Sequence, residues 1–420
     1  MKKNGFTLVE ITVCVVLLVT IFLIVVPKVN TMINNKKKNA YNSLISTVKD
    51  AAQAYVYLNV NIVDDAIESQ GYYEVSIRTL QENELLENKL ENPLTGKNIP
   101  STSIVKIIKN NEEYIYKFSL DYQYLLEHII DLYSSEETRI SNGLKKDNTE
   151  DKNIRYYGSN PNNYVSFNNE LWRIIGVFGN NVKLVRKDSL GSLSWDSSES
   201  SINGGFGVNE WSQADLKNYL NTMYYGGTSV TCYNGENNTT TTCPTNTIDE
   251  TSKGLIDYHT WNTGAPNYNE LYDSTTETLD TVEFYKAERG TVNGKICSSG
   301  TYCNDTVTRT TEWTGYIALP YVTDWAYASS ENDCNTKIDQ SSTYKCKNNN
   351  WMHRSTTTWY LSPGAFSSFA YIAWSVSGVG SAGNSDAATP LSAFPTIYLK
   401  SNVLIESGNG TSTDPYELSL

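Results

Sequence analysis

An apolar run near the amino terminus constrains this chain more than any other feature of its sequence. The run extends from Phe6 to Val26, and Lys2 and Lys3 precede it. About 20 consecutive apolar residues are enough to cross the hydrocarbon core of a bilayer as a helix, and flanking lysines suit the water-facing side. The sequence therefore predicts a single-pass membrane protein whose carboxy-terminal part is extracellular.

Glu10 is the one charged residue inside that run. A carboxylate at mid-bilayer costs roughly 2.5–3.5 kcal/mol on insertion scales, so it is expected to have a partner. A buried charge is tolerated when it is paired, and a pair that forms only in register selects one assembly. The run ends at Val25-Val26-Pro27-Lys28, which offers no small-residue cleavage site of the secretory kind.

The leader and the apolar run together resemble the prepilin motif of type IV pilins and type II secretion pseudopilins. The residues that carry the resemblance are Met1-Lys-Lys-Asn-Gly5-Phe6-Thr-Leu-Val-Glu10. The resemblance implies that prepilin peptidase removes residues 1–5 by cleaving between Gly5 and Phe6 and then methylates the new amine of Phe6. It also implies that Glu10 pairs with the terminal amine of a neighbouring subunit, and that the helix loosens near Pro27 during assembly.

The residues after Pro27 predict a pilin-like arrangement. A hydrophobic stripe at helical spacing follows Pro27 and consists of Tyr41, Leu44, Val48, Ala51, Tyr55 and Leu58. This stripe extends the predicted stalk helix, which therefore covers residues 6–59. Residues 60–133 are predicted to form a small head. Its β-rich runs Ser103–Lys109 and Tyr114–Leu120 are expected to pair as a hairpin. The polar residues 134–153 are predicted to be a linker.

The remaining residues, 154–420, differ in composition and predict a separate module. All nine tryptophans lie between Trp172 and Trp374. A strand over Val182–Arg186 is predicted to follow a turn at Gly179, and Thr396–Leu399 is predicted to be a closing strand. This region resembles the C-type-lectin-like modules of surface proteins, which are related in fold to formylglycine-generating enzymes. The pieces that carry this resemblance are Leu171-Trp-Arg-Ile-Ile, Trp211 with Tyr219-Leu-Asn, Trp359-Tyr-Leu-Ser-Pro-Gly and Pro395-Thr-Ile-Tyr-Leu-Lys.

The predicted fold class is therefore α+β. It consists of a long amino-terminal transmembrane or stalk helix, a small pilin-like β-sheet head and an irregular lectin-like module.

Six of the seven cysteines lie in the module, where they form near neighbours in sequence. Six cysteines allow many pairings, and we predict the three local disulfides, which are Cys232 with Cys243, Cys297 with Cys303, and Cys334 with Cys346. A zinc site would need ligand clusters of the CxxC type, and the sequence contains none.

Catalytic motifs are missing from the sequence, which predicts that the protein is not an enzyme and uses no metal or cofactor. His128, His259 and His353 stand outside any hydrolase or metalloprotease motif. Gly378-Val-Gly-Ser-Ala-Gly383 fits a dinucleotide-binding pattern but lacks a surrounding βαβ unit, so a glycine loop is the better interpretation.

The tryptophans and tyrosines are interpreted as core, with a carbohydrate platform as the alternative. The net charge of −13 argues against nucleic acid as a partner.

These observations favour a minor type IV pilin-like subunit that displays a lectin-like recognition module. Its expected partners are other pilin subunits, prepilin peptidase, the membrane, and a host or surface glycan or protein. Two alternatives remain open: a pseudopilin of a type II secretion or DNA-uptake system whose module handles cargo, and a membrane-tethered enzyme.

Overall fold

A computed structural model describes residues 36–419, with gaps at 38, 95, 97, 100, 102, 111–112, 119–122, 275–277, 293–294, 297–309, 340–344 and 366–368. The chain divides into two compact units, and the boundary falls between residues 122 and 123. Each unit has a hydrophobic core of its own.

The first unit combines helices with a three-stranded antiparallel sheet, in which β2 lies between β1 and β3. Its elements are α1 (36–58, apart from 38), α2 (Val60–Gln70), β1 (Tyr73–Ser76), α3 (Ile77–Glu82), β2 (Ile104–Asn110) and β3 (Glu113–Lys117).

The core of the first unit follows from two periodicities. Val48, Ala52 and Val56 recur at helical spacing on α1 and are buried. Val105 and Ile107 alternate along β2 and are also buried, because successive side chains of a strand point to opposite faces. The amphipathic stripe predicted for this helix is therefore confirmed over Val48, Ala51 and Tyr55, whereas its last member, Leu58, is 65% exposed.

The second unit is richer in strands. Its strands are β4 (Gln123–Tyr124), β5 (Leu144–Lys146), β6 (Ile154–Tyr156), β7 (Tyr164–Phe167), β8 (Glu170–Phe178), β9 (Asn181–Arg186), β10 (Ser192–Leu193), β11 (Cys232–Tyr233), β12 (Thr240–Thr241), β13 (His259–Asn262), β14 (Tyr272–Asp273), β15 (Thr278–Asp280), β16 (Thr291–Val292), β17 (Lys295–Ile296), β18 (Glu312–Gly315), β19 (Ile317–Ala318), β20 (Lys337–Asp339), β21 (Thr358–Pro363), β22 (Ile372–Val376), β23 (Ala382–Asp386), β24 (Leu391–Ser392), β25 (Thr396–Leu399), β26 (Leu404–Ser407) and β27 (Tyr416–Ser419).

Short helices connect these strands. They are α4 (Leu125–Ser134), α5 (Glu136–Ser141), α6 (Asp215–Asn218), α7 (Glu250–Leu255), α8 (Tyr268–Leu271), α9 (Thr281–Glu288) and α10 (Val322–Tyr327), with a π-helical segment at Tyr219–Tyr225 and 3₁₀ turns at Asn203–Gly205, Trp211–Gln213, Asn332–Asn335 and Lys345–Lys347.

Two sheets organise this unit. The larger has ten strands and runs in the order β19-β25-β9-β8-β7-β27-β26-β4, with β6 paired to β8 and β5 paired to β6. The smaller runs in the order β10-β24-β21-β22-β23. Elsewhere β13 and β18 pair only with each other among the described residues, and they form an antiparallel two-stranded ribbon.

The structure corrects the predicted fold class and localisation. No helix within the described residues combines the length and the apolar composition needed to cross a bilayer. The prediction of a fold that begins with a long transmembrane stalk helix is therefore wrong, as is that of a single-pass membrane protein, and the described fold is mixed α/β with many strands. The apolar run 6–26 lies outside the described residues.

The boundary between the units also differs from the expected arrangement. Residues 123–133 were predicted to complete the small head, and 134–153 to form a linker. Instead α4, α5 and β5 belong to the second unit, where Leu125, Ile129 and Leu144 are buried in its core. Helix α4 is amphipathic, and Leu125 and Ile129, four residues apart, place its apolar face in a core that distant strands complete.

Candidate functional site

The predicted processing and assembly residues cannot be placed in the fold. Gly5, Phe6, Glu10 and Pro27 lie outside the described residues, and so do Cys297 and Cys303. Their predicted roles stay predictions.

Two of the three predicted local disulfides are present. Cys232 and Cys243 are joined with their Cα atoms 5.3 Å apart, and Cys334 and Cys346 with theirs 5.6 Å apart. The second bond is fully buried and connects two 3₁₀ turns. Each bond closes a short loop, since the paired cysteines are 11 and 12 residues apart in sequence.

The tryptophans of the second unit are mostly core residues and not a binding platform. Seven of them are less than 2% exposed, namely Trp172, Trp195, Trp211, Trp261, Trp325, Trp359 and Trp374. Several donate their indole N–H to backbone carbonyls, as Trp195 does to Tyr360 and Trp359 to Leu193. These contacts orient the rings inside the core and leave them unable to bind a ligand.

A buried ionic network connects the large sheet to α10. Arg155 Nε lies 2.7 Å from Asp147 Oδ2, and Arg155 Nη1 lies 2.8 Å from Asp324 Oδ1. Lys183 Nζ lies 2.5 Å from Asp324 Oδ2. None of the four side chains is more than 1% exposed. Two cations face two carboxylates, so the network is neutral as a whole, as burial requires.

Electrostatics explains why this network stays ionised. Burial alone would raise the pKa of Asp324, but attraction to Lys183 and Arg155 outweighs it and holds the pKa below its ordinary value. Asp147 behaves in the same way beside Arg155. The network is closed to solvent, so it offers no access to a substrate.

The three histidines lie apart from one another. His128 Nε2 is 3.0 Å from the Tyr416 hydroxyl, and the ring of His259 stacks on Tyr398 at 3.7 Å. Burial lowers the pKa of His353, which disfavours its charged form. Among the described residues no group of three His, Cys, Asp or Glu side chains is placed to hold a metal ion.

The glycine-rich segment 378–383 contains the turn between two paired strands and the first residues of the second strand. It connects β22 to the antiparallel β23, and Gly380 has a φ of +92°. The interpretation as a glycine loop is therefore confirmed.

The two-stranded ribbon of β13 and β18 presents the strongest candidate site. Trp261 opposes Trp313, and Thr260 opposes Thr314. Side chains alternate between the faces of a strand, so the tryptophan pair lies on one face and the threonine pair on the other. The tryptophan face is anchored in the core, where Trp261 is fully buried and donates its indole N–H to the Gly315 carbonyl at 3.1 Å.

The opposite face of the ribbon is open to solvent. We call it the ribbon face, and it consists of Tyr258, Thr260, Asn262, Glu312, Thr314 and Tyr316. Of these, Tyr258 is 60% exposed, and Thr260, Glu312 and Thr314 are exposed as well. The hydroxyl oxygens of Thr260 and Thr314 lie 3.2 Å apart across the strands.

A stack of three tyrosines forms one end of the ribbon face. The rings of Tyr225 and Tyr316 stack with centroids 4.0 Å apart and an interplanar angle of 12°. Tyr258 leans on Tyr316 with a centroid distance of 4.8 Å. Burial, together with a hydrogen bond to Tyr316, raises the pKa of the Tyr225 hydroxyl above its ordinary value.

Neighbouring residues hold this stack in place. The side-chain oxygen of Asn221 accepts the backbone N–H groups of Tyr316 and Ile317, at 3.2 and 3.1 Å. Lys253 on α7 lies 5.5 Å from the ring centroid of Tyr225 and forms an ion pair with Glu250 at 2.6 Å. These contacts hold Tyr225 and the backbone of Tyr316 in place before any ligand arrives, which lowers the ordering cost of binding.

The chemistry available at the ribbon face is non-covalent recognition. It offers aromatic faces, hydroxyls, one amide and one carboxylate, and it lacks an activated nucleophile beside a base. Sequence reasoning missed this site. The available signal was the alternation in Tyr258-His-Thr-Trp-Asn262 and Glu312-Trp-Thr-Gly-Tyr316, in which tryptophan occupies one face and tyrosine, threonine, asparagine and glutamate the other.

No protein-family model matches the chain, and neither a curated protein nor a solved structure gives a match.

Proposed function

We propose that this chain is a minor subunit of a type IV pilin-like filament and that its second unit is a recognition module. The observation that carries the proposal is the motif at Gly5, Phe6 and Glu10. The ribbon face supports the recognition role, because the exposed ring of Tyr258 lies on the same face as hydroxyl, amide and carboxylate groups that can bond a ligand. Two compact units suit a division between assembly and recognition.

Processing and assembly provide the direct test. Protein isolated from native cells is expected to begin at a methylated Phe6. The Glu10→Gln variant should lose incorporation into filaments, because it removes the charge that would pair with a neighbouring amine. Glu74→Gln is the matched control, since Glu74 is an exposed glutamate on β1. A chain that retains Met1, or a Glu10→Gln variant that assembles normally, contradicts the proposal.

Pseudopilins carry the same motif, so deletion of the gene is needed to distinguish a filament subunit from a pseudopilin. Normal protein secretion together with lost attachment supports the filament subunit. Lost secretion with normal attachment supports a pseudopilin whose second unit handles cargo.

A further inference from the structure

We propose that the ribbon face binds a linear glycan, with one sugar ring stacked on Tyr258 and the following rings bonded along the paired threonines. This inference rests on the proposed role of the second unit as a recognition module, and it names the ligand class of that module.

The tyrosine stack supplies the apolar half of a sugar site. An aromatic ring carries negative charge on its face and positive charge on its edge. A sugar ring presents a face of C–H groups whose hydrogens carry partial positive charge, so it fits against the face of a tyrosine. Tyr258 is 60% exposed, and its ring packs on that of Tyr316 with centroids 4.8 Å apart and an interplanar angle of 52°.

The ribbon-face residues beyond the tyrosine stack supply the polar groups of the sugar site. The Thr260 and Thr314 hydroxyls lie side by side, and Asn262 opposes Glu312 in the next pair of the ladder. Hydroxyls, an amide and a carboxylate can donate and accept hydrogen bonds with sugar hydroxyls. The distance from Tyr258 to Asn262 along the strand is roughly 13 Å at about 3.3 Å per residue, which exceeds the length of one sugar ring. A linear oligosaccharide fits this strip better than a monosaccharide.

Two other ligand classes fit less well. A stable protein interface buries about 1,200–2,000 Å² in total, and the ribbon face contributes a single large exposed hydrophobic side chain, Tyr258. The other such side chains that the structure describes in the second unit lie elsewhere, at Ile130, Ile140, Ile202, Phe369 and Val379. Nucleic acid is disfavoured by the carboxylate of Glu312 and by the net charge of −13.

The test uses the full-length protein on an array of linear cello-, chito-, xylo- and manno-oligosaccharides, followed by calorimetric titration with the best ligand and its monosaccharide. We expect binding that strengthens with chain length. Tyr258→Ala should weaken it by about tenfold or more, which corresponds to about 1.4 kcal/mol. Tyr258→Phe should stay within about twofold, because the ring face remains. Thr314→Val, which is close in shape, should weaken binding by about threefold to tenfold through the loss of a hydrogen bond.

Tyr57→Ala is the matched control, since Tyr57 is 84% exposed but lies in the first unit. Circular dichroism checks that each variant is folded. The proposal is overturned if no oligosaccharide on the array binds, or if Tyr258→Ala and Thr314→Val bind like the wild type. Filament incorporation of Tyr258→Ala is measured in parallel. Normal processing at Phe6 with no glycan binding would refute this inference alone, whereas retained glycan binding with Met1 still present would refute the filament proposal alone.

Discussion

At the scale of single residues, Glu288 is fully buried and accepts hydrogen bonds from uncharged groups of Thr323. Its carboxyl oxygens accept the backbone N–H of Thr323 at 3.1 Å and the Thr323 hydroxyl at 2.5 Å. Arg289 Nη1 is 3.6 Å away. Burial raises the pKa of Glu288 to about 7, against the opposing effects of Arg289 and Thr323. This carboxyl therefore takes up a proton in the folded state more readily than in the unfolded state.

We expect Glu288 to make the stability of the second unit depend on pH. Because its folded pKa is raised, its contribution is complete below its ordinary value of 4.5 and is lost as the pH rises through about 7. Glu288→Gln, which keeps the shape and both contacts with Thr323, should resemble the wild type at low pH and exceed it in stability at high pH. Urea unfolding at a series of pH values measures this. Glu236→Gln, an exposed site, is the control. An unchanged pH slope in Glu288→Gln would contradict the expectation.

Lys183 lies in the buried ionic network, and without it Asp324 has only Arg155 as a cationic partner in that network. Lys183→Met should lower the free energy of unfolding by about 3 kcal/mol, because removing one partner of a buried ion pair leaves the other charge desolvated and uncompensated. Lys187→Met is the matched control, because Lys187 and its partner Asp188 are 41% and 71% exposed and such pairs contribute about 0–1 kcal/mol. Equal losses in the two variants would show that the network is not stabilising.

At the scale of elements, Gly315 determines how the ribbon packs. A Cβ atom at Gly315 would lie 2.0 Å from the indole Cη2 of Trp313. That indole packs edge-on against Trp211, with ring centroids 6.1 Å apart. The glycine thus allows Trp313 to cover the backbone of its own strand, which keeps the tryptophan face inward and the ribbon face outward.

Gly315→Ala should displace Trp313 and lower the free energy of unfolding by about 1–3 kcal/mol, the range for overpacking in a core. The tryptophan fluorescence should change with it, because one of the indoles moves. Gly383→Ala is the control: it lies on β23, and a Cβ there would meet no atom within 4 Å. A Gly315→Ala variant as stable as Gly383→Ala would contradict this packing.

The sequence predicted local elements better than long-range ones. The strand predicted over Val182–Arg186 forms as β9, its turn has Gly179 at a φ of +58°, and Thr396–Leu399 forms as β25. These segments carry their own alternation and turn residues. The ribbon was missed because β13 and β18 are four residues each and pair across about 50 residues of chain. Nothing within either segment specifies its partner.

At the scale of the whole molecule, the two cores are built from separate parts of the chain. Residues 48–118 supply the buried side chains of the first core, and 125–416 those of the second. Each compact unit of this kind can unfold as its own cooperative transition.

We therefore expect two heat-absorption peaks when the full-length protein is unfolded in a calorimeter. Lys183→Met should shift only the peak of the second unit, because Lys183 and its partners all belong to that unit. Reduction of the disulfide between Cys334 and Cys346 should shift the same peak, since removal of a native disulfide typically costs about 2–5 kcal/mol. A single peak that moves as a whole would contradict independent unfolding.

The order of strands in the ten-stranded sheet has a consequence for biosynthesis. Strand β27 pairs with β7, and β26 lies between β27 and β4. The segments 123–124 and 164–167 are made early, but their neighbours at 404–419 are made more than two hundred residues later. The edges of the sheet at β4 and β7 therefore stay unpaired in the nascent second unit until residues 404–419 have been made, and unpaired edges of this kind can join another chain.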